Sequence, residues 1–362
     1  MSGPVADRAE ALAERLFGAT LGALELFSVY LGGELGLYRA LEQHGALDAE
    51  QLAERAGIAG RYAREWLEQQ AVAGLIEVED AGPHADKRRY RLPAEHARVL
   101  CHPDDPAHVA PFAHTVAGIG GVIARVAEAY RSGDGVPYEA YGQAFRHGQG
   151  HINRPAFSHE LPSGWLGALP DTVARLEAAA HPRVADVGCG QGWAALALAK
   201  AFPNAWVDGL DADSGSIADG RRHAAEAALD GRVRFLEADA AELADHGRYE
   251  LVLMLEALHD LARPVEALRA ARAALAEGGT LLVVDERVAD SFTAPGDEVE
   301  RMMFGWSVTH CLPTQLAERP SAALGTALRP HTVRALATQA GFTGIEVLPV
   351  ENDFFRLYRL DP

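Results

Sequence analysis

The chain has 362 residues, 48% of them apolar and 23% charged, which is ordinary for one or two globular domains with a buried core. Its 51 acidic and 33 basic residues give a net charge of −18, which disfavours nucleic acid and anionic membranes as partners, and we find no apolar stretch long enough to predict a membrane span. Three cysteines without CxxC spacing and an N-terminus unlike a signal peptide predict a cytoplasmic protein without disulfides.

Residues 1–100 predict a helical domain that ends in a short β-ribbon. Apolar side chains recur at helical spacing over residues 8–31, and three short helices follow between residues 35 and 76, the second of them capped by Asp48. Two extended pieces, 76–80 and 88–93, complete the pattern of a winged helix.

The charged residues of this domain indicate whether it could bind DNA. A DNA-binding winged helix presents a basic face, but the third helix here carries glutamates beside its arginines, so we predict no nucleic-acid partner. Apolar residues around Leu24 and Phe27 exceed what a small winged helix can bury. We therefore interpret residues 1–100 as a packing and dimerisation domain and predict a homodimer.

Residues 101–170 are punctuated by proline and glycine and predict a helical linker. The stretch just before the next domain, residues 136–162, is rich in tyrosine, histidine, phenylalanine and arginine. It could form a lid over a neighbouring cleft, or its aromatic side chains could simply fill a core. The sequence leaves both interpretations open.

Strands and helices alternate over residues 171–362. Apolar strands of four to eight residues and helices of ten or more imply βαβ units and a parallel sheet. Two extended runs joined directly at the C-terminal end predict an antiparallel hairpin. The predicted fold class is therefore α/β, a Rossmann-like sheet preceded by a mostly helical domain.

A glycine-rich loop follows the first predicted strand of this sheet. Gly188, Gly190 and Gly192 have GxGxG spacing, and the loop opens a helix. Glycines permit a tight turn and close approach of a ligand to the backbone. Asp186 lies two positions before the first glycine, where it would repel a pyrophosphate and suits a cationic amino-acid group.

Two further aspartates end the next two strands. Asp211 lies 211 − 192 = 19 residues past the last glycine, where a carboxylate can accept the hydroxyls of a ribose. Asp239 ends the third strand and suits an adenine amino group, with the backbone N–H of Ala240 beside it. Because the carboxyl ends of successive parallel strands meet at one edge, these groups should converge on one crevice.

In motif order and spacing, residues 183–285 resemble the class I S-adenosylmethionine-dependent methyltransferases. The resemblance implies that Asp186 and the glycine loop bind the methionine end of S-adenosylmethionine. It also implies roles for residues at the later strand ends in holding the ribose and adenine: Asp211, Ala212, Asp239, Ala240 and Leu255. The N-terminal segment resembles the winged-helix dimerisation domain that precedes many small-molecule methyltransferases. The alternative is a winged-helix regulator that senses S-adenosylmethionine and binds DNA.

His259 and Asp260 follow the fourth strand, beside the expected position of the methyl group. One hypothesis makes His259 a general base that takes a proton from a substrate hydroxyl. The His-Asp pair is similar to that of the plant-type small-molecule O-methyltransferases, in which a histidine at this place has that role.

A second hypothesis adds His310 as the third member of a metal site. Two histidines and one carboxylate form the facial triad typical of non-haem iron. This set resembles that of the 2-oxo-acid C-methyltransferases, such as the phenylpyruvate C-methyltransferases, which implies iron as a second cofactor. A purely structural role, with Asp260 capping a helix and His310 packed in the lid, is the third possibility.

The segment after the fifth strand predicts a substrate cover. Met302, Met303 and Trp306 could line an apolar pocket, or they could pack their helix onto the domain. Together these patterns predict a dimeric methyltransferase that acts on a small molecule of secondary metabolism, by O-methylation or by metal-assisted C-methylation of a 2-oxo acid.

Overall fold

The computed structural model describes residues 3–80 and 84–362, which form two compact units. The first unit contains the described residues through Gly120 together with Gln143–Pro155, and the second contains Gly121–Gly142 and Ala156–Pro362. The predicted linker, residues 101–170, is thus divided between both units. Residues 81–83, in the predicted connection of the β-ribbon, lie outside the described residues.

The first unit is a winged-helix domain with flanking helices. Its elements are α1 (Gly3–Glu34), α2 (Leu37–His44), α3 (Ala49–Ala56), α4 (Gly60–Val72), β1 (Glu77–Asp80), β2 (Arg89–Arg91), α5 (Ala94–Leu100), the start of α6 (Pro111–Ser132) and α7 (Gly142–Ile152). Asp48 caps α3 in a capping box with Gln51, as predicted. β1 and β2 pair antiparallel. A core that includes Leu37, Leu52 and Leu67 joins the three short helices.

Helix α1 corrects one expectation. From Arg8 to Glu34 it is long and apolar enough, by length and composition, to cross a membrane, with a mean hydropathy of 1.4 in its most apolar window. Residues 16–33 contain a single charged side chain, Glu25. The run is easily overlooked because glycine, alanine, serine and threonine interrupt the leucines without making the segment strongly polar.

The second unit contains the sheet and its covering helices. Before the sheet come a short 3-10 turn (Tyr138–Tyr141), a π-helical segment (Ala156–Trp165) and α8 (Pro170–Ala178). The strands are β3 (Arg183–Val187), β4 (Trp206–Asp211), β5 (Val233–Glu237), β6 (Tyr249–Leu255), β7 (Leu275–Glu286), β8 (Gly344–Val347) and β9 (Phe355–Asp361). The helices are α9 (Trp193–Ala201), α10 (Ser214–Glu226), α11 (Leu243–His246), α12 (Pro264–Ala274), α13 (Glu298–Trp306), α14 (Leu312–Ala317) and α15 (Pro330–Ala340).

The seven strands form one sheet in the order β5-β4-β3-β6-β7-β9-β8. The first five are parallel, and β9 pairs antiparallel with both β7 and β8. The predicted Rossmann-like sheet with a C-terminal antiparallel hairpin is therefore confirmed. The strand order reverses between β3 and β6, and ligands of open α/β sheets bind at the carboxyl ends of the strands beside such a reversal.

Candidate active site

The glycine loop connects β3 to α9 at this reversal. Gly188, Gly190 and Gly192 all have left-handed backbone conformations, with φ values of 72°, 50° and 82°. The N–H groups of Gly188 and Cys189 donate to the Leu210 carbonyl at 2.8 and 3.0 Å, which ties the loop to the end of β4. These backbone hydrogen bonds and the left-handed glycines thus fix the geometry of the loop before any ligand binds.

The three glycines differ in the space around them. A side chain at Gly192 would place its Cβ 2.2 Å from the Phe235 ring, and one at Gly188 would lie 2.5 Å from Ala257 Cβ. At Gly190 a Cβ would meet nothing within 4 Å. Packing therefore accounts for Gly188 and Gly192, whereas the open space at Gly190 leaves room for a ligand against the backbone.

Asp186 supplies a buried carboxylate just before the loop. It is 2% exposed, and its Oδ2 has no hydrogen-bond partner among the described residues. Burial, with a further contribution from Asp211, raises the pKa of Asp186 to about 7. An unpaired buried carboxylate oxygen is costly, and a cationic ligand group would satisfy it. This site therefore fits the sulfonium and amino-acid end of S-adenosylmethionine.

Asp211 lies at the end of β4, close to the glycine loop. Its Oδ2 accepts the Gly190 N–H at 2.8 Å and its Oδ1 accepts the Asp213 N–H at 2.8 Å. A carboxylate has about four lone-pair positions, so these bonds leave acceptor capacity for ribose hydroxyls. Ala212, the next residue, is exposed.

Asp239 follows β5 and already has partners. Its Oδ1 accepts the Ala241 N–H at 2.8 Å, and Arg263 forms an ion pair with Oδ2. Ala240 lies in the 3-10 turn that Asp239 caps, and Leu255 is buried at the end of β6. An adenine amino group that used Asp239 would have to share this carboxylate with Arg263.

His259 lies in a 3-10 turn directly after β6 and is 4% exposed. Its Nδ1 is 2.9 Å from Oδ1 of Asp285, a fully buried residue near the end of β7. Burial acts to lower the pKa of His259, but Asp285 and then Asp260 outweigh it, so the pKa is held well above its usual value. If Nδ1 donates to Asp285, Nε2 of the neutral ring is an available proton acceptor.

Asp260 and Cys311 lie beside that nitrogen. The Asp260 Oδ1 is 3.4 Å from His259 Nε2 and is buried without a hydrogen-bond partner. One donor atom each from His259, Asp260 and Cys311 lie within 4.8 Å of one another, a grouping that could hold a metal ion. Burial raises the pKa of the Cys311 thiol to about 12, so without an ion it is protonated.

His310 lies next to this group, in a π-helical turn, Ser307–Cys311, and is 2% exposed. Burial lowers the pKa of His310 to about 4, although Asp260 acts in the opposite direction. The rings of Tyr138 and Tyr141 contact it edge-on, with centroid distances of 5.8 and 4.7 Å. Two aromatic residues of the predicted linker thus pack against a predicted site residue.

The substrate-cover residues lie on α13. Met303 is buried at 4% exposure, whereas Met302 and Trp306 are half-buried. Met303 therefore packs α13 onto the domain, and the other two keep accessible surface. Whether they touch a substrate stays a prediction.

Sequence reasoning missed several residues around His259. Asp285 and Glu286 end β7, so the rule that selected Asp211 and Asp239 applies to them equally. Gln315 was also missed: its side chain donates to the His259 carbonyl and accepts the Gly325 N–H at 3.0 Å. It anchors the His259 turn from α14.

Two protein families match parts of the chain. Residues 184–279 match the family described as "Methyltransferase domain", and residues 22–102 match the "Rv2258c-like winged HTH domain". The first match covers the glycine loop and every aspartate discussed above as a candidate cofactor ligand. The second covers α2 to β2, the segment predicted to be a winged helix.

Curated relatives match about a third of the chain. A trans-aconitate 2-methyltransferase of Methylobacterium nodulans is 33% identical over 135 residues, which is 37% of this chain and 49% of that protein. The corresponding protein of Streptomyces avermitilis is 31% identical over 119 residues, 33% of this chain and 43% of that protein. The chain thus spans about half the length of the curated relatives it matches.

Solved structures match over nearly the whole length. The mitomycin 7-O-methyltransferase MmcR aligns with a TM-score of 0.67 at 21% identity, covering 98% of this chain and 99% of that one. Human N-acetylserotonin methyltransferase in complex with S-adenosylmethionine aligns with a TM-score of 0.69 at 18% identity, covering 96% and 97%. At these identities the likeness shows the fold. Together with the family matches, this likeness confirms the resemblance seen in the sequence. The chain contains a methyltransferase domain of class I, the S-adenosylmethionine-dependent type, preceded by a winged-helix domain.

Proposed function

We propose that the protein transfers the methyl group of S-adenosylmethionine to a hydroxyl oxygen of a small molecule, with His259 as the general base. The observation that carries this proposal is the buried His259–Asp285 pair, 2.9 Å apart, at the same sheet edge as the glycine loop. The test is incubation with S-adenosylmethionine labelled in the methyl group and a panel of hydroxylated acceptors. Base-resistant label on oxygen is expected, and label on carbon would contradict it.

The chemistry requires alignment more than activation, because the sulfonium is already a good leaving group. In-line attack needs the acceptor oxygen held against the methyl carbon. Asp285 fixes the ring of His259 so that Nε2 can take the hydroxyl proton as the oxygen attacks. The Gln315 contact to the His259 carbonyl holds the turn in place.

The proposed cofactor ligands lead to a first prediction. Asp211→Ala removes an acceptor for the ribose hydroxyls and also the partner of the Gly190 N–H. We expect S-adenosylmethionine affinity to fall by roughly 1–3 kcal/mol in calorimetry. Asp211→Asn keeps one carbonyl oxygen and should lose less. Unchanged affinity in the alanine variant would remove Asp211 from the site.

A metal-assisted reaction is the second candidate, because donor atoms of His259, Asp260 and Cys311 are gathered within 4.8 Å. A metal ion there would act as a Lewis acid and acidify a carbon next to the carbonyl of a 2-oxo acid. The group contains a thiol beside one imidazole, and soft sulfur ligands favour zinc over iron. The predicted iron triad with His310 stays a prediction.

We also propose that the protein is a homodimer. Helix α1 exposes a stripe of large apolar side chains, each 40–66% exposed: Leu12, Leu16, Phe17, Leu21, Leu24, Phe27 and Leu31. Their spacing follows one face of the helix, and an apolar patch of this length usually marks an interface. A second copy offers the same stripe, so a twofold contact covers both.

The three cysteines are buried and unpaired, which suits the reducing cytoplasm.

The dimer prediction can be tested by charge insertion. Phe17→Glu combined with Leu24→Glu places two carboxylates in the stripe, and we expect sedimentation to show a monomer at micromolar concentration. Val72→Glu is the control, because Val72 is 91% exposed on α4, outside the stripe. A wild-type chain that sediments as a monomer at this concentration would contradict the proposal.

The DNA-binding alternative is disfavoured by the ion pairs of α4. Arg61 pairs with Glu65, and Arg88 pairs with Glu68 at 3.0 Å, so these arginines are neutralised within the domain. A face meant for phosphates needs unpaired basic side chains.

A further inference from the structure

Two glutamates lie beside the proposed catalytic histidine without a role in proton abstraction. Glu256 immediately follows β6 and Glu286 ends the neighbouring parallel strand β7, so both occupy the sheet edge that carries His259. Each carboxyl group acts on the pKa of the other, so the two lie close together. Glu256 has a left-handed φ of 55°, a conformation that costs a non-glycine residue roughly 1–2 kcal/mol.

Several oxygens of these acidic side chains are buried without partners. Glu286 is 5% exposed, and in the part of the chain that the structure describes its Oε2 has no hydrogen-bond partner; Oδ2 of the fully buried Asp285 also has none there. Oε1 of Glu256 is buried and lacks a partner as well, although the residue as a whole is partly exposed. Unpaired buried acceptors are costly, so each of them calls for a donor that residues 3–80 and 84–362 do not supply.

The charged groups around the two glutamates indicate that this donor carries a positive charge. The groups that act most strongly on Glu256 and Glu286 are His259, Asp285, Asp260 and the two glutamates themselves, and His259 is the one potential cation among them. His259 is already paired with Asp285. A carboxylate substrate would meet four acidic side chains in a water-poor site, whereas a cation would be attracted to them.

We propose that Glu256 and Glu286 bind a protonated amine of the methyl acceptor, so that the substrate is a small hydroxylated amine and not a carboxylic acid. This inference rests on the proposed function for the hydroxyl that reacts, but the charge preference is a property of binding alone. Charge-assisted hydrogen bonds from an ammonium group would satisfy the oxygens that now lack partners.

The protonation of the two carboxyl groups provides a second measurable consequence of the proposal, the release of protons on binding. Burial raises the pKa of Glu286 to about 8, so this carboxyl group holds a proton at neutral pH when no cation is present, and burial also raises the pKa of Glu256 well above its usual value. A bound ammonium lowers both pKa values and expels a proton. Binding at pH 7 should therefore release protons, a change that a neutral ligand would not produce.

The experiment uses three probes of one size that differ in charge: benzylamine, benzyl alcohol and benzoate. Each is titrated by calorimetry into the full-length protein saturated with S-adenosylhomocysteine, so that no methyl transfer occurs. We expect benzylamine to bind about 10-fold more tightly than benzyl alcohol, and benzoate to bind most weakly. Repeating the amine titration in two buffers of different ionisation enthalpy measures the released protons.

The variants Glu256→Gln and Glu286→Gln keep the shape of the site and remove one charge each. Each should reduce both the preference for benzylamine and the proton release, and the double variant should abolish them. Glu277→Gln is the matched control, because it removes the same charge from an exposed residue of β7.

Equal binding of amine and alcohol, no binding of the amine, or a preference that persists in the double variant would each overturn the inference. The wild-type comparison does not depend on how well the variants fold. If no hydroxylated acceptor is methylated but benzylamine is still preferred, the proposed function fails and the charge preference stands. If methyl transfer to oxygen occurs without an amine preference, the reverse holds.

Discussion

His259→Ala is expected to lower the rate of methyl transfer by about 10²- to 10⁴-fold, the usual contribution of a general base. Binding of S-adenosylmethionine should be nearly unchanged, because His259 is not among the proposed cofactor ligands, which lie at or just after the ends of β3, β4, β5 and β6. The measurement is turnover of labelled S-adenosylmethionine at saturating cofactor, with affinity measured separately by calorimetry. His331→Ala, a change at an exposed histidine in α15, is the matched control and should keep full activity.

Asp285→Asn extends this test to the residue that orients the ring. An amide can present an N–H to Nδ1 and favour the tautomer with its proton on Nε2, which cannot accept a proton from the substrate. We expect a loss on the order of 10²-fold or more in kcat with little change in KM. A loss of folding stability alone would instead lower the amount of active enzyme without changing the kcat of the active fraction.

The pH dependence follows from the charges around His259. Asp285 and Asp260 hold the pKa of His259 well above its usual value despite burial, which favours the protonated ring. Because only the neutral ring accepts a proton, the wild-type rate should rise with pH, with a midpoint above the ordinary histidine value of about 6.5. The same rise should be absent in His259→Ala.

The metal hypothesis predicts a different result for the same enzyme. A chelator should then inactivate the wild type reversibly, and Asp260→Ala and Cys311→Ala should each lower metal content. Under the general-base mechanism a chelator has no effect. Full activity in chelator, with less than a tenth of an equivalent of transition metal bound, would exclude the metal-assisted reaction.

The sheet and its cofactor edge could be predicted because both depend on short-range patterns. Strand ends are recognisable from local apolar runs, and parallel topology then brings Asp186, Asp211 and Asp239 to one edge wherever the helices pack. No long-range distance needs to be known. The same rule, applied to the end of β7, would have selected Asp285 and Glu286 as well.

The partners of His259 could not be predicted in the same way. Asp285 lies 26 residues away along the chain, and its pairing with His259 depends on the register of β6 against β7. The metal hypothesis names His310 as the third ligand, and the next residue, Cys311, has a donor atom within 4.8 Å of those of His259 and Asp260. His310 and Cys311 both occupy a π-helical turn, Ser307–Cys311, which has more residues per turn than an α-helix and so rotates side chains away from the positions that an α-helical period predicts.

The second large effect is expected from substitutions in the glycine loop, on cofactor affinity and on stability. Its glycines are required for different reasons. At Gly192 a Cβ would lie 2.2 Å from the Phe235 ring, at a φ of 82°, so Gly192→Ala should destabilise the fold itself. A Cβ added at Gly190 has no atom of the described residues within 4 Å, and the cost to the protein without cofactor is limited to the strain of a φ of 50°, roughly 1–2 kcal/mol.

Gly190→Val is therefore expected to leave a folded protein that binds S-adenosylmethionine poorly. The branched side chain fills the space where we place the cofactor and blocks its approach to the backbone, so affinity should fall by about 100-fold, near the upper end of the loss expected for Asp211→Ala. Thermal unfolding without cofactor should show a small loss for Gly190→Val and a larger one for Gly192→Ala, while the stabilisation on adding cofactor should nearly vanish for Gly190→Val. Normal cofactor affinity in Gly190→Val would place the ligand elsewhere, because a cofactor bound against the Gly190 backbone would collide with the valine side chain.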